Sequence, residues 1–592
     1  MTSREKIQAL RRLMRKEGLH AYLVPSTDPH LSEYVPECWK RREWVSGFTG
    51  SAGDVVVMLK EAGLWTDSRY FLQSERELEA GVVSLFKLGV AGTPSIEEHL
   101  AKRLKPGQIV GVDPQVLSEE RAGAIAKALG EKGIRLRYTA NLIDRLWEDR
   151  PAVPQEPITR HADAFAGETA LEKLARMRAE LARLEVDFHV LTALDSIAWL
   201  FNIRGRDVEF NPLVIAHAIL GKKTAELFID SAKVSPELRE WLKGFARLRP
   251  YEALGETLKA LGKKKARVLV DPASTNHWVV ERLKGAVIRF APSPIVHAKA
   301  VKNAAQIRGI RDAHRRDGVA MVRFLHWLEG ALKERSYTEL EVAEKCMAFR
   351  EQEAHYCGAS FDTIVGFNAN AAVVHYSPRT GENAVVGRRG ILLVDSGAQY
   401  LDGTTDITRT ITIGAPTPRE KELFTRVLKG HINLARAAFP KGMAGIRVEI
   451  LARQALWEAG IEYGHGTGHG VGHYLSVHEG PVGFSARATA PLEPGNLISL
   501  EPGCYEKGQY GFRTENLVVL VSDAKRSTKE LEWCALDAVT LCPIDRELIE
   551  PGLMTAEERA WLNDYHARVF AELGPRLAAD VRAWLEAETR PI

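Results

Sequence analysis

The sequence predicts two similar α/β domains at the N-terminal end, followed by a C-terminal domain that mixes helices with antiparallel sheet. At 592 residues the chain is too long for a single hydrophobic core. Two stretches of the N-terminal half repeat one order of helical and strand-like patterns, which indicates duplication of an α/β unit. The C-terminal half combines amphipathic helical patterns with β-rich runs, which favours an α+β domain.

Four patterns recur in the same order in the two N-terminal stretches: a basic helix, an apolar run, a run containing Asp-Ser and a run ending in Asp-Pro. In the first copy the helix is predicted over residues 6–17, and the runs are "HAYLVPSTD", "LWTDSRY" and "VGVDP". In the second copy the helix is predicted over residues 174–184, and the runs are "FHVLTALDSIAWLFNIRG", "LFIDSAK" and "VLVDP". A chance match between short apolar strands is the alternative, but the shared order and spacing favour duplication.

Proline-rich segments mark the predicted domain boundaries. The prolines of "RPAVPQEP", residues 150–157, cannot continue a helix or a central strand. A second boundary is predicted near "APSPIVHAKA", residues 291–300. The predicted domains are therefore 1–156, 157–297 and 298–592.

Two helices are predicted at the start of the third domain. Asn303 precedes a long amphipathic pattern and is a candidate N-cap. Thr338 and Glu341 form a capping-box pattern at the start of the next helix.

Composition and charge are those of an ordinary soluble protein. The chain is 45% hydrophobic and 27% charged, and its 80 basic and 77 acidic residues leave a formal charge of only +3. No global field therefore favours nucleic acid or a membrane. The six cysteines form no CxxC pair, and neither a secretory h-region nor a long apolar run is present. We expect a cytoplasmic protein with reduced thiols.

Four histidines lie in the glycine-rich segment "YGHGTGHGVGHYLSVHEG", residues 463–480: His465, His469, His473 and His478. A helix would place three of them on one face, but each interior glycine would cost about 1 kcal/mol in a helix. The segment is therefore predicted to be a loop or an irregular strand. In an extended chain, histidines four residues apart lie roughly 13 Å apart, so at most one is expected in any one metal shell.

Two β-rich runs of the third domain each carry a pair of acidic residues. Asp395 and Asp406 flank Asp402-Gly403, which is a strong hairpin signal, although the sequence does not fix the strand register. Glu501 ends one apolar run and Glu515 begins the next, with a turn-rich loop between them.

Four carboxylates in strands that are predicted to be buried need a source of positive charge. A buried carboxylate costs several kcal/mol unless it is paired, and a salt-bridged core acid is the common explanation for any single one. Arg409 and Arg513 are the only basic candidates in these strands. Two divalent cations would balance four carboxylates, and oxygen ligands with one imidazole suit Mn²⁺, Co²⁺ or Zn²⁺. Two such ions can activate a shared water, so the expected chemistry is hydrolysis.

Several long motifs now identify a family. They include "PSTDPHLSEYVPECWKRREWVSGFTGSAG", "WLFNIRGRDVEFNP", "FDTIVGFNANAAVVHY", "LLVDSGAQYLDGTTDITRT", "HGTGHGVGHYLSVHEGP" and "FRTEN". On these motifs, in this order, the chain resembles the cytosolic Xaa-Pro aminopeptidases, the three-domain aminopeptidase P group of the pita-bread metallopeptidases. The resemblance covers nearly the whole chain. It implies two similar N-terminal α/β domains followed by a C-terminal pita-bread catalytic domain.

The resemblance also implies a set of metal ligands. These are Asp395, Asp406, His469, Glu501 and Glu515, with Asp406 and Glu515 bridging two divalent ions. Mn²⁺ is favoured over Zn²⁺ and Co²⁺. A hydroxide bridging the ions would attack the first peptide carbonyl, and Glu501 would act as general base and then acid.

Further residues are implied to act on the substrate, which is a peptide with proline at its second position. His375 and His478 would donate hydrogen bonds to the scissile carbonyl, His465 would line the site, and His473 would have no direct role. Arg513 would orient a ligand carboxylate and Arg69 would reach the peptide from the first domain, with a solvated surface arginine as the alternative for Arg69. The glycines beside His469 would let the backbone approach the proline ring.

Other functions of this fold stay open as alternatives. A prolidase-like Xaa-Pro dipeptidase cleaves before proline but prefers dipeptides, and the extra α/β domain argues against it. A catalytically inactive pita-bread binding module would have lost the ligands, and all five candidates are present. Creatinase-like hydrolases lack the duplicated N-terminal half. A homodimer is implied by the resemblance.

Overall fold

The computed structural model describes residues 1–379 and 383–592, which form two compact units. One unit comprises Met1–His161 and Glu168–Val296, and the other comprises Ala162–Gly167 and His297–Ile592. The first two predicted domains thus fall mainly within one unit. Their boundaries at residues 156 and 297 stay predictions.

The first unit contains two six-stranded sheets. The strand orders are β4-β3-β2-β1-β5-β6 and β12-β11-β10-β8-β13-β14, and a two-residue ladder joins β7 to β9. The strands are β1 (Ala21–Val24), β2 (Asp54–Met58), β3 (Ala62–Thr66), β4 (Ser84–Lys87), β5 (Ile109–Val112), β6 (Arg135–Tyr138), β7 (Thr159–Arg160), β8 (Phe188–Leu191), β9 (Ile203–Arg204), β10 (Ala216–Gly221), β11 (Ala225–Ile229), β12 (Arg247–Arg249), β13 (Arg267–Val270) and β14 (Val287–Phe290).

The two sheets have the same topology. In each sheet the central strand pairs antiparallel with the next strand on one side and parallel with its neighbour on the other. The outer pairs match as well, with one antiparallel and two parallel contacts in each sheet. The predicted duplication is therefore confirmed.

The helices begin at caps that the sequence interpretation partly missed. The helix predicted over 6–17 covers Ser3–Lys16, and the helix predicted over 174–184 covers Ala170–Arg183. Both start after a threonine that forms a capping box with a glutamate three residues on, Thr2 in one and Thr169 in the other. The helices from the N-terminus to residue 300 are α1 (Ser3–Lys16), α2 (Arg41–Ser46), α3 (Phe71–Glu77), α4 (Ile96–Arg103), α5 (Glu119–Gly130), α6 (Asp163–Ala166), α7 (Ala170–Arg183), α8 (Leu194–Phe201), α9 (Pro236–Lys243), α10 (Leu254–Lys263), α11 (His277–Arg282) and α12 (Pro294–Ala300).

The second unit opens with the two predicted helices. Asn303 caps the first in a capping box with Gln306, and Thr338 caps the second in a capping box with Glu341. Both predicted caps are confirmed. The helices are α13 (Ala304–Glu334), α14 (Glu339–Arg350), α15 (Pro418–Ala435), α16 (Ile450–Trp457), α17 (Ala556–Leu573) and α18 (Ala579–Glu588).

Antiparallel sheet fills the rest of this unit. Its sheets have the orders β17-β19-β22, β16-β20-β21, β15-β18, β27-β28 and β23-β30-β29-β26-β24-β25. The strands are β15 (Tyr337–Thr338), β16 (Tyr356–Ala359), β17 (Ile364–Phe367), β18 (Val385–Val386), β19 (Gly390–Ser396), β20 (Ala398–Tyr400), β21 (Gly403–Thr404), β22 (Ile407–Ile413), β23 (Ala438–Pro440), β24 (Gly468–Gly470), β25 (Glu479–Phe484), β26 (Leu497–Leu500), β27 (Gly503–Glu506), β28 (Tyr510–Arg513), β29 (Asn516–Ser522) and β30 (Trp533–Ala538).

Apolar helix faces cover these sheets. Phe324 on α13 packs with Leu392 and Val394 of β19, and Leu434 on α15 packs with Ile498 of β26. The strands that carry the acidic residues are thereby buried. Within residues 1–379 and 383–592, no helix combines the length and the apolar character that a membrane span needs.

Candidate metal centre

Asp395 and Asp406 lie on one β-hairpin that is interrupted between them. Asp395 pairs with Thr408 in the β19–β22 ladder, and Tyr400 pairs with Gly403 at the tip. Both ladders keep the same register, so no bulge is inserted. Asp406, which immediately precedes β22, therefore lies diagonal to Asp395 on the same face of the ribbon.

The turn of this hairpin is one residue earlier than predicted. Leu401 and Asp402 form the turn, whereas Gly403 belongs to strand β21. A Cβ at Gly403 would lie 3.0 Å from the side chain of Ala313, so this glycine serves close packing against α13. The Asp402-Gly403 turn prediction is thus wrong by one position.

Glu501 and Glu515 lie opposite each other on a second interrupted hairpin. Leu500 pairs with Asn516 on one side of the gap, and Gly503 pairs with Arg513 on the other. The register is again unchanged, and the two glutamates occupy the gap. Each predicted pair of acids is therefore brought together by its own ribbon.

Hydrogen bonds join the two ribbons at the acidic positions. The Glu515 N–H donates to the Thr408 carbonyl at 3.2 Å, and the Thr408 hydroxyl donates to Glu515 Oε2 at 2.8 Å. As a result, ligand atoms of Asp406, His469 and Glu515 all lie within 4.8 Å of one another. That spacing suits a shared metal shell.

His469 faces the carboxylates from strand β24. Its Nε2 lies 3.5 Å from Asp406 Oδ2 and 3.3 Å from Glu501 Oε1. Its Nδ1 lies 2.9 Å from the Gly470 carbonyl oxygen, which can only accept. In the neutral imidazole the proton is therefore assigned to Nδ1, so that the Nε2 lone pair is available to a cation.

The glycines beside His469 let β24 approach its neighbouring strands. A Cβ at Gly468 would lie 1.8 Å from the Ser499 carbonyl oxygen, and a Cβ at Gly470 would lie 2.2 Å from that of Glu479. The irregular strand predicted for this segment is confirmed. The contacts shown for these glycines are with the protein's own backbone, and their predicted approach to a proline ring stays a prediction.

Burial and mutual repulsion perturb the acid groups. Burial raises the pKa of Asp395 to about 7, although Arg513 opposes the shift, and Asp406 and Glu501 add to it. Burial and the charge of Asp406 raise the pKa of Glu515 well above its usual range. Burial disfavours the charged form of His469, but contact with Asp406 and the charge of Glu501 raise its pKa to about 9. This cluster lacks sufficient positive charge of its own.

Two unsatisfied oxygens test whether divalent cations fit. Asp395 Oδ1 and Glu515 Oε1 are buried and have no hydrogen-bond partner among the described residues. Such oxygens cost free energy unless they are bound. Glu515 belongs to the cluster of ligand atoms formed with Asp406 and His469, and the other oxygen of Asp395 is held by Arg513. Hard divalent ions match this donor set.

Arg513 holds one carboxylate of the centre and also bonds to Tyr505, a residue that the sequence interpretation missed. Arg513 Nη2 donates to Asp395 Oδ2 at 2.5 Å, and Nη1 donates to the Tyr505 hydroxyl at 2.7 Å. The Tyr505 hydroxyl also lies 2.9 Å from His465 Nε2. Tyr505 lies on the same strand face as Gly503, near Glu501. The period-two alternation of a strand does not distinguish a residue that contacts the centre from one that only packs in the core, so the sequence did not reveal its role.

Arg409, the other candidate counter-charge, points elsewhere. It donates to the carbonyls of Glu515, Thr408, Pro543 and Cys542, and to the side chains of Asn516 and Tyr565. Among the residues that the structure describes, its guanidinium holds backbone carbonyls and two neutral side chains and pairs with no carboxylate. Its five-donor fork can satisfy several carbonyls at once, and the sequence pattern could not reveal this.

The remaining predicted substrate residues are placed as follows. The His478 ring lies 4.3 Å from that of His469, nearly perpendicular at 86°. His375 follows a 3-10 helix at Asn368–Ala372, and the carbonyl of its neighbour Val374 accepts a 3.4 Å hydrogen bond from Arg513. His473 is buried. The roles proposed for these histidines stay predictions.

Arg69 lies in the first unit. It follows β3 in a 3-10 helix, Ser68–Tyr70, and donates twice to the Asp67 carboxylate at 2.8 Å. This bidentate pair gives its guanidinium a structural partner. Its predicted contact with the peptide stays a prediction.

Family comparisons cover almost the entire chain. Residues 308–522 match metallopeptidase family M24, and residues 532–592 match the C-terminal region of peptidase M24. Residues 6–146 and 149–306 each match the creatinase/prolidase N-terminal domain, in agreement with the duplicated sheets.

Two similar proteins from fungi carry the same name. A probable Xaa-Pro aminopeptidase P of Aspergillus clavatus is 41% identical, over 99% of this chain and 93% of its own. Another of Penicillium rubens is 40% identical, over 99% of this chain and 98% of its own.

Solved structures share the fold. A crystal structure of X-prolyl aminopeptidase from Caenorhabditis elegans, described as a cytosolic enzyme with a di-nuclear active site, matches all of both chains with a TM-score of 0.97 and 36% identity. An Xaa-Pro dipeptidase from Bacillus anthracis shares the fold over 64% of this chain and 99% of its own, with a TM-score of 0.52 and 23% identity.

Proposed function

The chain belongs to the Xaa-Pro aminopeptidase P group of metallopeptidase family M24, and on this premise we propose that it hydrolyses the first peptide bond of peptides whose second residue is proline. The observation that carries the proposal is the approach of the Asp406 and Glu501 carboxylates to His469 Nε2, beside buried oxygens of Asp395 and Glu515 that have no hydrogen-bond partner among the described residues. This arrangement supports a hydrolase and argues against an inactive binding module, which has no need of a costly acidic cluster.

The proposed cofactor is a pair of divalent ions, with Mn²⁺ favoured over Zn²⁺ and Co²⁺. The proposed ligands are Asp395, Asp406, His469, Glu501 and Glu515. When bound, the ions supply positive charge that polarises the scissile carbonyl and acidifies a water molecule. The preference for Mn²⁺ rests on the excess of oxygen over nitrogen donors and on the lack of a thiolate in the set.

Glu501 is the proposed proton carrier because it is the most accessible of the acids. Its side chain keeps 18% of its exposure, compared with 11% for Asp395 and 5% for Asp406. The Ser499 hydroxyl donates to its Oε1 at 3.0 Å and orients the carboxylate. Glu501 can therefore take a proton from water and return it to the leaving proline nitrogen.

The histidines beside the centre are proposed to bind the substrate. His478 stands against the His469 ring, where an imidazole N–H could reach a carbonyl oxygen. His375 is proposed to bind the substrate from the position after Val374, whose carbonyl accepts a hydrogen bond from Arg513. The bond from His465 to Tyr505 supports a lining role for His465.

We also propose a cytoplasmic homodimer. The cytoplasmic location is supported by free cysteines, five of which are buried, and by the cytosolic description of the worm enzyme. The dimer is supported by an exposed apolar stripe, Ile446, Ile450 and Trp457, on and just before α16. Sedimentation of the wild type and of Ile450→Glu tests the dimer, because the charged variant should shift the protein toward monomer.

A peptide panel tests the activity and its main rival. Mn²⁺-loaded protein should release the first residue from Xaa-Pro-Xaa peptides and leave matched Xaa-Ala-Xaa peptides intact, as read by mass spectrometry. Hydrolysis of Xaa-Pro dipeptides alone would support prolidase activity instead. Full metal loading without hydrolysis of any peptide would support the inactive module.

A further inference from the structure

Glu339 is a fully buried carboxylate at the first position of α14, separate from the proposed metal ligands. Its Oε1 accepts the Phe367 N–H at 2.6 Å, and its Oε2 accepts the Tyr376 hydroxyl at 2.7 Å and the Ala384 N–H at 2.8 Å. The Asn370 amide donates to both oxygens, at 3.1 Å and 3.0 Å. One carboxylate thus collects donors from two chain segments.

The charge of Glu339 is held by these donors and not by a cation. Among residues 1–379 and 383–592, no lysine or arginine forms an ion pair with it. Its place in the first turn of α14 adds the favourable end of the helix dipole. Hydrogen bonds to a charged group are among the stronger hydrogen bonds in a protein. The donors should therefore be held firmly.

Two of those donors flank His375. Asn370 lies five residues before it and Tyr376 directly after it. Between them, Val373 donates its N–H to the Asn370 carbonyl at 3.0 Å, and the Tyr376 N–H donates to the Val373 carbonyl at 3.1 Å. With both ends of the segment fixed, these hydrogen bonds restrict the backbone conformation between Asn370 and Tyr376.

Arg513 holds the same segment from the metal side. It donates to the Val374 carbonyl at 3.4 Å while it pairs with Asp395. His375 therefore follows a residue that is tied to the centre and precedes one that is tied to Glu339. Displacement of either anchor should move the imidazole relative to Asp395.

We propose that Glu339 is a positioning residue that holds His375 in its working orientation through Asn370 and Tyr376. The proposal rests on the proposed function, in which His375 binds the scissile carbonyl. Glu339 itself touches no reacting atom. A purely structural role would stabilise the fold without acting through His375, and the two roles give different measurements.

The test variant is Tyr376→Phe, which removes one hydroxyl and keeps the ring. The matched control is Asn383→Ala: the exposed Asn383 side chain accepts the Leu340 N–H at 3.0 Å, on the same helix end but without a bond to the His375 segment. Glu339→Gln provides a stronger perturbation, because the amide NH₂ would face N–H donors. Mn²⁺ content and thermal unfolding are measured for each variant.

A double-mutant cycle with His375→Ala separates the two roles. We expect Tyr376→Phe to lower kcat about tenfold with little change in KM, as for loss of one hydrogen bond to a charged group. In the His375→Ala background the same substitution should change kcat less than twofold, because the imidazole that Tyr376 helps to position is then absent. A change of about twofold is the size within which the effects of independent mutations normally add. Equal losses in both backgrounds would overturn the proposal, and so would an unchanged kcat in both Tyr376→Phe and a folded Glu339→Gln.

NMR of the His375 imidazole gives a readout that does not depend on substrate. Its ring resonances should shift in Tyr376→Phe and stay in place in Asn383→Ala. Unchanged resonances in Tyr376→Phe would contradict the proposal even if no Xaa-Pro peptide is cleaved. Lack of peptide cleavage by the wild type would instead count against the proposed function.

Discussion

Binding of two divalent ions should displace about two protons near pH 7 from protein that a chelator has made metal-free. His469, with its pKa raised to about 9, is almost fully protonated at that pH and must lose a proton to offer Nε2. Asp395, with its pKa raised to about 7, contributes about half a proton. Glu515, whose pKa is raised well above its usual range, adds up to one more.

Isothermal titration calorimetry measures this number directly. Metal-free protein is titrated with Mn²⁺ in two buffers that differ in ionisation enthalpy and do not bind the ion. The difference in apparent binding enthalpy divided by the difference in ionisation enthalpy gives the protons released. Near pH 9 the number should fall, because Asp395 is then already ionised and His469 is about half deprotonated.

Two variants identify the source of the protons. His469→Ala should release about one proton fewer near pH 7. His326→Gln, a substitution on α13, should leave the number unchanged. Release of less than about half a proton by the wild type would refute the reasoning, because the proposed ligands could not then carry the raised pKa values.

Three further predictions concern the proposed ligands and Arg409. The gain in melting temperature on Mn²⁺ loading should grow between about pH 5 and about pH 9. The pKa values of Asp395 and His469 are raised in the folded protein, so the metal-free fold loses stability as the pH rises through those values. A gain that stays constant with pH would contradict this. Asp406→Asn should lower turnover by at least about a thousandfold with an unchanged circular dichroism spectrum, and near-normal peptide hydrolysis would exclude Asp406 as a ligand. Arg409→Met should lower the free energy of unfolding in urea by about 4 kcal/mol, since buried carbonyls lose their donors; a loss under about 1 kcal/mol would show that they find other partners.

Local pattern was sufficient to predict the elements and the acid pairs. The capping residues Asn303 and Thr338 were predicted because their side chains act within one helical turn. The duplicated sheets were predicted because the repeated patterns recur in the same order. The domain boundaries stay predictions, since the contacts gather most of both N-terminal domains into one unit.

Contacts between distant segments were not predictable. Gly403 signals a turn locally, but it pairs with Tyr400 in a strand and packs against Ala313 on α13. Tyr505 and Glu339 carry no motif that separates a site contact from packing or capping. Glu339 was one of several acids near a helix start, and its donors come from residues about 30 to 45 positions away, beyond any periodic signal.

The backbone fixes the spacing of the carboxylates before any ion binds. Each ribbon keeps its register across a gap, so the acids in the gap lack partners within their own ladder. Their N–H groups turn to other elements instead: Glu501 donates to the Thr467 carbonyl at 2.7 Å, next to the strand of His469, and Glu515 donates to Thr408. These two bonds from the gap to other elements therefore hold the two ribbons and the chain beside β24 together. Folding thus supplies much of the organisation of the centre, and cation binding offsets the repulsion that this organisation creates.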